Sequence, residues 1–135
     1  MYFKEVLILN ENVSRKNIDI TWSKYKYVVM ERSYKKYKDI SKNIGLNMYT
    51  YDMFTAEIDS ICKLEPVKSQ SINTLQHIWG YFKKNASKED KNVFLMYLEK
   101  YVNDEIELYK VKKVLKEYAI KYKSSYLLNS YYFDY

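Results

Sequence analysis

The single histidine of the chain, His77, sits in the stretch SINTLQHIWGYFKKN, Ser71 to Asn85, beside Trp79 and Gly80. An imidazole titrates near neutrality, so it can shuttle a proton, ligate a metal or hydrogen-bond a phosphate or base edge. With about 100° per residue, Ile72, Leu75, Ile78, Trp79 and Phe82 gather into one apolar stripe, and His77 falls about 200° from Leu75. Asn73, Gly80 and Lys84 accompany it, giving a file of amide, imidazole, bare backbone and ammonium on the side opposite the stripe. Two readings follow. In one, the reverse face packs on another helix, Gly80 permits close approach and His77 is a satisfied hydrogen bonder. In the other, the file meets a ligand, and His77 and Lys84 donate to phosphates or base edges. Catalysis has less behind it, because no carboxylate in the helix would orient the imidazole and no Ser or Cys sits in a nucleophile elbow.

A second file lies upstream. Tyr25 and Arg32 are two helical turns apart and fall within about 20° of each other, on the side that also carries Trp22 and Val29. Arg32 can mark the edge of the core, its stem buried and its head in water, or it can fork onto a phosphate.

These files need helices to hold them. Two Gly and one Pro in 135 residues leave little turn chemistry for short strands, and 47% hydrophobic content is enough for a single core. The expected fold is all-α, one bundle of about six helices. Trp22, Tyr25, Val28 and Val29 mark the first, and Ser33 reads as the cap of a second that ends at Gly45. In that second helix Tyr34, Tyr37, Ile40 and Ile44 share one face, and Lys35, Lys38 and Lys42 the reverse. Tyr51, Phe54, Ile58, Ile61 and Cys62 define a third, broken near Pro66. The fourth is the quoted stretch. A capping box at Ser87 to Asp90 opens a fifth, with Phe94, Leu95, Leu98, Tyr101 and Val102 inward. The sixth buries Leu108, Val111, Leu115, Tyr118 and Tyr122, and an aromatic tail closes the chain. Met1 to Ile20 stays open, since VLIL fits a strand or part of a helix.

The formal charge is +6 and the pI about 9.1, which attracts polyanions such as nucleic acid or an anionic membrane face. Only Arg15 and Arg32 among 23 basic residues are arginine, and lysine accompanies 17 tyrosines, a profile that AT-rich codons alone can produce. Position says more than the total. Thr21 to Gly45 carries seven basic and two acidic residues, Lys68 to Lys88 four basic and none acidic, and Glu89 to Tyr109 two basic and six acidic. That alternation fits either one polar side set out for an anion or salt bridging between helices. The lone Cys62 forms no internal disulfide, and so few thiols and imidazoles build no zinc or iron–sulfur site, so no cofactor is expected. No signal peptide and no membrane span is legible, and the expected home is the reducing cytosol.

The run NTLQHIWGYFKK resembles the YbgA-like family, a bacterial domain of unknown function, whose N-x-L-x-H-x-x-G-Y-F pattern Asn73, Leu75, His77, Gly80, Tyr81 and Phe82 match. SKYKYVVMERSYKKYKDI is similar to the family's first block, with Tyr25, Lys26, Ser33 and Tyr37 in step, and the tail matches in Tyr126, Leu127 and Tyr131. The likeness spans roughly Thr21 to Tyr135, which sets a helical domain over 21–135 after an N-terminal segment, 1–20. Arg32 stands where the family has a histidine, Asn129 where it has Gln, and YVND at Tyr101 to Asp104 replaces its Y-R-x-G. If a histidine pair acts in relatives, half of it is gone here. Members are often joined to a domain similar to desulfidases of thiolated uracil, including the modified base in tRNA, and the YbgA-like part is then the RNA holder. The resemblance therefore implies a stand-alone helical module that grips RNA, tRNA for preference, alone or with a desulfidase-like partner protein in trans. The expected contacts are Tyr25, Lys26, Arg32, Lys35, Lys38, Asn73, His77, Tyr81 and Lys84. Two other readings stay open: an accessory subunit whose exposed aromatic tail docks a partner protein, and a nucleotide-modifying enzyme with His77 as proton shuttle.

Overall fold

The computed structural model describes residues 13–135 with their side chains, and residues 2–12 as backbone of the first helix. Its elements are α1 (Tyr2–Met30), α2 (Tyr34–Gly45), α3 (Tyr51–Cys62), α4 (Lys68–Trp79), α5 (Lys88–Val102), α6 (Leu108–Lys121), a one-turn α7 (Ser125–Leu128) and a 3-10 turn (Tyr131–Asp134). Helix is thus the only regular structure among the described residues, as the scarcity of Gly and Pro predicts. The segment left open, 1–20, belongs from Tyr2 onward to α1, which runs unbroken through position 21. Its VLIL side chains lie outside the described residues.

Local chemistry sets the helix boundaries. Ser33 accepts from the Lys36 amide at 3.1 Å, and Ser87 from that of Asp90 at 3.0 Å, so both expected caps satisfy amide donors that a helix start leaves unpaired. Three helices end on a residue in the left-handed region, Asn47 (φ 54°), Asp104 (φ 59°) and Lys123 (φ 55°), a role usually filled by glycine. Each closes a Schellman motif: the next amide reaches back to a carbonyl of the last turn, Met48 to Asn43 (3.0 Å), Glu105 to Lys100 (2.8 Å) and Ser124 to Ala119 (2.9 Å). The helix holding His77 begins at Lys68 and stops at Trp79, shorter at its C-terminal end than periodicity suggests. Gly80 caps it in right-handed geometry, and Tyr81 to Asn85 continue as turns.

Two helices act as axes. α1 packs on α2, α3, α4 and the 3-10 turn, and α6 on α4, α5, α7 and the same turn. One apolar cluster joins Tyr27 and Met30 of α1 to Leu75, Ile78 and Trp79 of α4, Phe94 of α5 and Leu115 and Tyr118 of α6, with Trp79 stacked on Phe94 (4.8 Å, 12°). The other joins Ile18 and Val29 of α1 to Ile40 of α2 and Phe54, Ile58 and Ile61 of α3. Leu95 and Val102, expected inward, are exposed, because α5 packs chiefly against α6 alone and buries only the stripe around Phe94 and Leu98. Tyr51 likewise stands on the surface.

Candidate functional site: a face of lysines and aromatic rings

α2 lays its first turn against α4. The Tyr34 amide donates to Gln70 Oε1 at 2.7 Å, and the Tyr34 ring lies 6.3 Å from the imidazole of His77. Residues three apart on a helix share a face, so Tyr37 stacks on Tyr34 (5.7 Å, 13°), and Trp22 of α1 stacks on Tyr37 in turn (5.7 Å, 28°). The ammonium of Lys38 sits 5.0 Å from the centre of the Tyr34 ring. An aromatic row therefore crosses α4, α2 and α1, with the lysine face of α2 beside it.

Past the end of α4 the row finds a neighbour. Tyr81 stacks on Tyr126 of α7 (5.9 Å, 15°), and its hydroxyl shares a 2.6 Å hydrogen bond with that of Tyr27. Burial pushes the Tyr27 hydroxyl far above the ordinary phenol range, so it stays neutral at any physiological pH. Lys26 spans the two rings, its ammonium 5.0 Å from the centre of Tyr126 and 5.1 Å from that of Tyr27. The ion pairs among the described residues are Glu31 with Arg32 and Lys112, Lys68 with Asp104, and Lys121 with Asp90. Lys26, Lys35 and Lys38 enter none of them.

His77 points to solvent, as its angle to Leu75 requires, and so do Lys35, Lys38 and Tyr81, while Lys26 and Asn73 are half-buried. Lys84 is exposed but lies in the turns beyond Trp79, so helical periodicity does not place it in file with His77. The structure thus gathers Lys26, Lys35, Lys38, His77 and Tyr81 around Tyr34, Tyr37 and Tyr126. Tyr34 and Tyr126 are absent from the expected contacts; the mix of Lys and Tyr at 34–38 marks a basic aromatic segment without saying which ring faces outward, and no local signal marks Tyr126.

Tyr25 and Arg32 belong elsewhere. They do share a side of α1, but that side faces the chain's own tail: Tyr25 meets Tyr131 edge-on at 4.9 Å, and the guanidinium of Arg32 lies 5.5 Å from the Tyr135 ring. Arg32 is buried, where its head was expected in water. Its Nε donates to the Leu64 carbonyl (2.7 Å), and its NH1 to the Val28 carbonyl (3.0 Å) and to Glu31 (3.2 Å). A guanidinium so engaged is a structural tie between α1 and the α3–α4 link. With His77 exposed and the head of Arg32 enclosed, the two do not form the single concave site that a nucleotide-modifying enzyme requires. Of the aromatic tail, expected exposed, Tyr126 and Tyr135 do reach the surface, while Tyr132 is wholly buried between α1 and α6.

A recess between α1 and the α2–α3 turn, lined by Arg15, Ile18, Asp19, Ile44, Asn47 and Tyr49, has a volume of about 20 Å³, room for roughly one water. Among the described residues no three His, Cys, Asp or Glu side chains converge as metal donors, and no helix is long and apolar enough to cross a membrane.

Comparison with protein families matches residues 26–135, most of the chain, to a family described as Protein of unknown function (DUF1722). Neither a curated protein nor a solved structure matches.

Proposed function

The chain belongs to the DUF1722 family of proteins of unknown function, and we propose that it is an RNA-binding module that takes a structured RNA such as tRNA on its face of lysines and aromatic rings. One observation carries the reading: Lys26, Lys35 and Lys38 have no acidic partner, and Lys26 and Lys38 stand over the rings of exposed Tyr126 and half-buried Tyr34. Lysines left unpaired next to tyrosines offer phosphate contacts and base stacking together, the two terms that hold single-stranded and looped nucleic acid.

The motif likeness to YbgA-like domains adds the finer part of the proposal: tRNA as the ligand, and a desulfidase-like protein in trans as the source of any chemistry, in the cytosol. His77 then serves as a hydrogen-bond donor on the binding face. RNA affinity should fall steeply with salt, and the triple substitution Lys35→Ala, Lys38→Ala, Lys84→Ala should flatten the slope of log affinity against log salt by about one for each lysine that meets a phosphate. A mobility-shift titration at several salt concentrations reads this directly. No binding at low salt, or a slope the triple variant leaves untouched, removes the proposal.

A further inference from the structure

Against Tyr126 lies a recess lined by Ser23 and Lys24 of α1, Tyr126 of α7 and Asn129. Its chemistry is one-sided. Lys24 makes no ion pair, its ammonium resting 5.6 Å from the Tyr131 ring, and no carboxylate lines the recess. Ser23 donates its hydroxyl proton to the Ile20 carbonyl at 2.6 Å, which leaves its oxygen as an acceptor, and Asn129 is exposed, with an amide that both donates and accepts. An ammonium for a phosphate, an acceptor and an amide for a ribose, and a tyrosine wall for a base make the set that one nucleotide requires.

We infer that the RNA is recognised at an unpaired nucleotide, its base laid on the Tyr81–Tyr126 step and its sugar-phosphate received by the Ser23–Lys24–Asn129 recess. This rests on the RNA-binding reading and narrows it from structured RNA in general to loops, bulges and single-stranded ends. The reason is geometric. Tyr81 and Tyr126 are 43% and 38% exposed and stacked on each other at 5.9 Å, so a base joins them by extending the stack on an outward ring face. A base inside an A-form helix has both faces covered by its neighbours, and only an unpaired base can put a face against a tyrosine. A second, shallower groove, lined by Tyr34, Lys35, Lys38 and Gln70 among others, opens beside Arg32.

The test uses the full chain and two RNAs of equal length and charge, a hairpin with 2-aminopurine in its loop and a blunt duplex with the same label in its stem. We expect the hairpin to bind at least about tenfold tighter, with a change in label fluorescence on binding. Tyr126→Ala should cost about tenfold in hairpin affinity, a modest value for one lost base–aromatic stack, and abolish that change, while Tyr126→Trp keeps both. Lys24→Met with Asn129→Ala, at a half-buried and an exposed position, should weaken the hairpin and leave the duplex alone, which keeps the test sharp if Tyr126→Ala folds poorly. Equal affinity for hairpin and duplex, with both variants silent and the triple lysine variant still impaired, overturns this inference and leaves the basic-face reading standing. No RNA bound at low salt overturns both.

Discussion

Lys112 of α6 and Glu31 at the end of α1 form an ion pair sealed inside the molecule, with Nζ 3.1 Å from Oε2 and 3.3 Å from Oε1. The same ammonium donates to the main-chain oxygen of Tyr135 at 2.6 Å and lies 4.1 Å from the centre of the Tyr132 ring. Burial raises the Glu31 carboxyl above its ordinary range and lowers the Lys112 ammonium below its own, despite their mutual attraction. Each ion therefore carries a desolvation cost that its partner offsets, with Arg32 beside Glu31 and the Tyr135 oxygen beside Lys112 adding to that offset. Glu31→Gln alone should destabilise the fold by about 3–5 kcal/mol, and Glu31→Met with Lys112→Met should recover much of that loss. Urea unfolding of the two variants decides it, and a double variant as unstable as the sum of its singles would contradict the account.

The Tyr132 ring fills the core, but its hydroxyl has no hydrogen-bond partner among the described residues. Removing an unpaired buried hydroxyl relieves a desolvation cost, and removing the ring opens a cavity. Tyr132→Phe should leave stability unchanged or raise it, whereas Tyr132→Ala should cost about 3–5 kcal/mol. Thermal melts of both would show it, and a large loss in the phenylalanine variant would mean that the hydroxyl is paired after all.

Asp90 receives hydrogen bonds from Lys121 and Tyr122, which hold its carboxyl below the ordinary value of 3.8. A depressed carboxyl adds stability above its unfolded pKa, and that contribution disappears as the pH falls through the folded one. Asp90→Asn should therefore be less stable than the parent between about pH 5 and 7, with the gap closing below about pH 3. The cap at Ser87 uses the backbone amide of position 90 and is retained, so the difference reports the carboxylate. Unfolding midpoints across that pH range that run parallel would refute it.

Lys123 holds a left-handed backbone conformation that costs an L-residue and suits glycine. Lys123→Gly should raise stability by about 0.5–1 kcal/mol, with the helical circular dichroism signal unchanged. A drop in the urea midpoint would show that its side chain contributes more than its backbone loses.

His77→Ala separates binding from folding. The imidazole is exposed and its one close ring is Tyr34, so the variant should melt with the parent and still bind RNA more weakly. A lowered melting temperature would mark the histidine as structural.

Short-range signals were legible in the residues and long-range ones were not. Ser33 and Ser87 cap where their hydroxyls stand next to apolar periodicity, α2 ends at Gly45, and His77 faces outward because its angle to Leu75, Ile78 and Trp79 is fixed within one helix. The fate of Arg32 depended on Leu64, Glu31 and a tyrosine at the far end of the chain, and nothing in helical periodicity brings those together. For the same reason the tail read as exposed: Tyr132 is buried only because α1 and α6 leave a slot between them. In the candidate site the lysines were legible as charge, but their aromatic companions were not, since Tyr34 on a core-facing stripe and Tyr126 in a short last helix meet only in three dimensions.

α1 contributes Val29 to one apolar cluster and Met30, the very next residue, to the other. Consecutive positions on a single rod thus grip two different clusters and tie them together. Melting should follow one sigmoid rather than two, and damage done among Phe54 and Ile58 should be felt as lost order around the distant Tyr126 shelf.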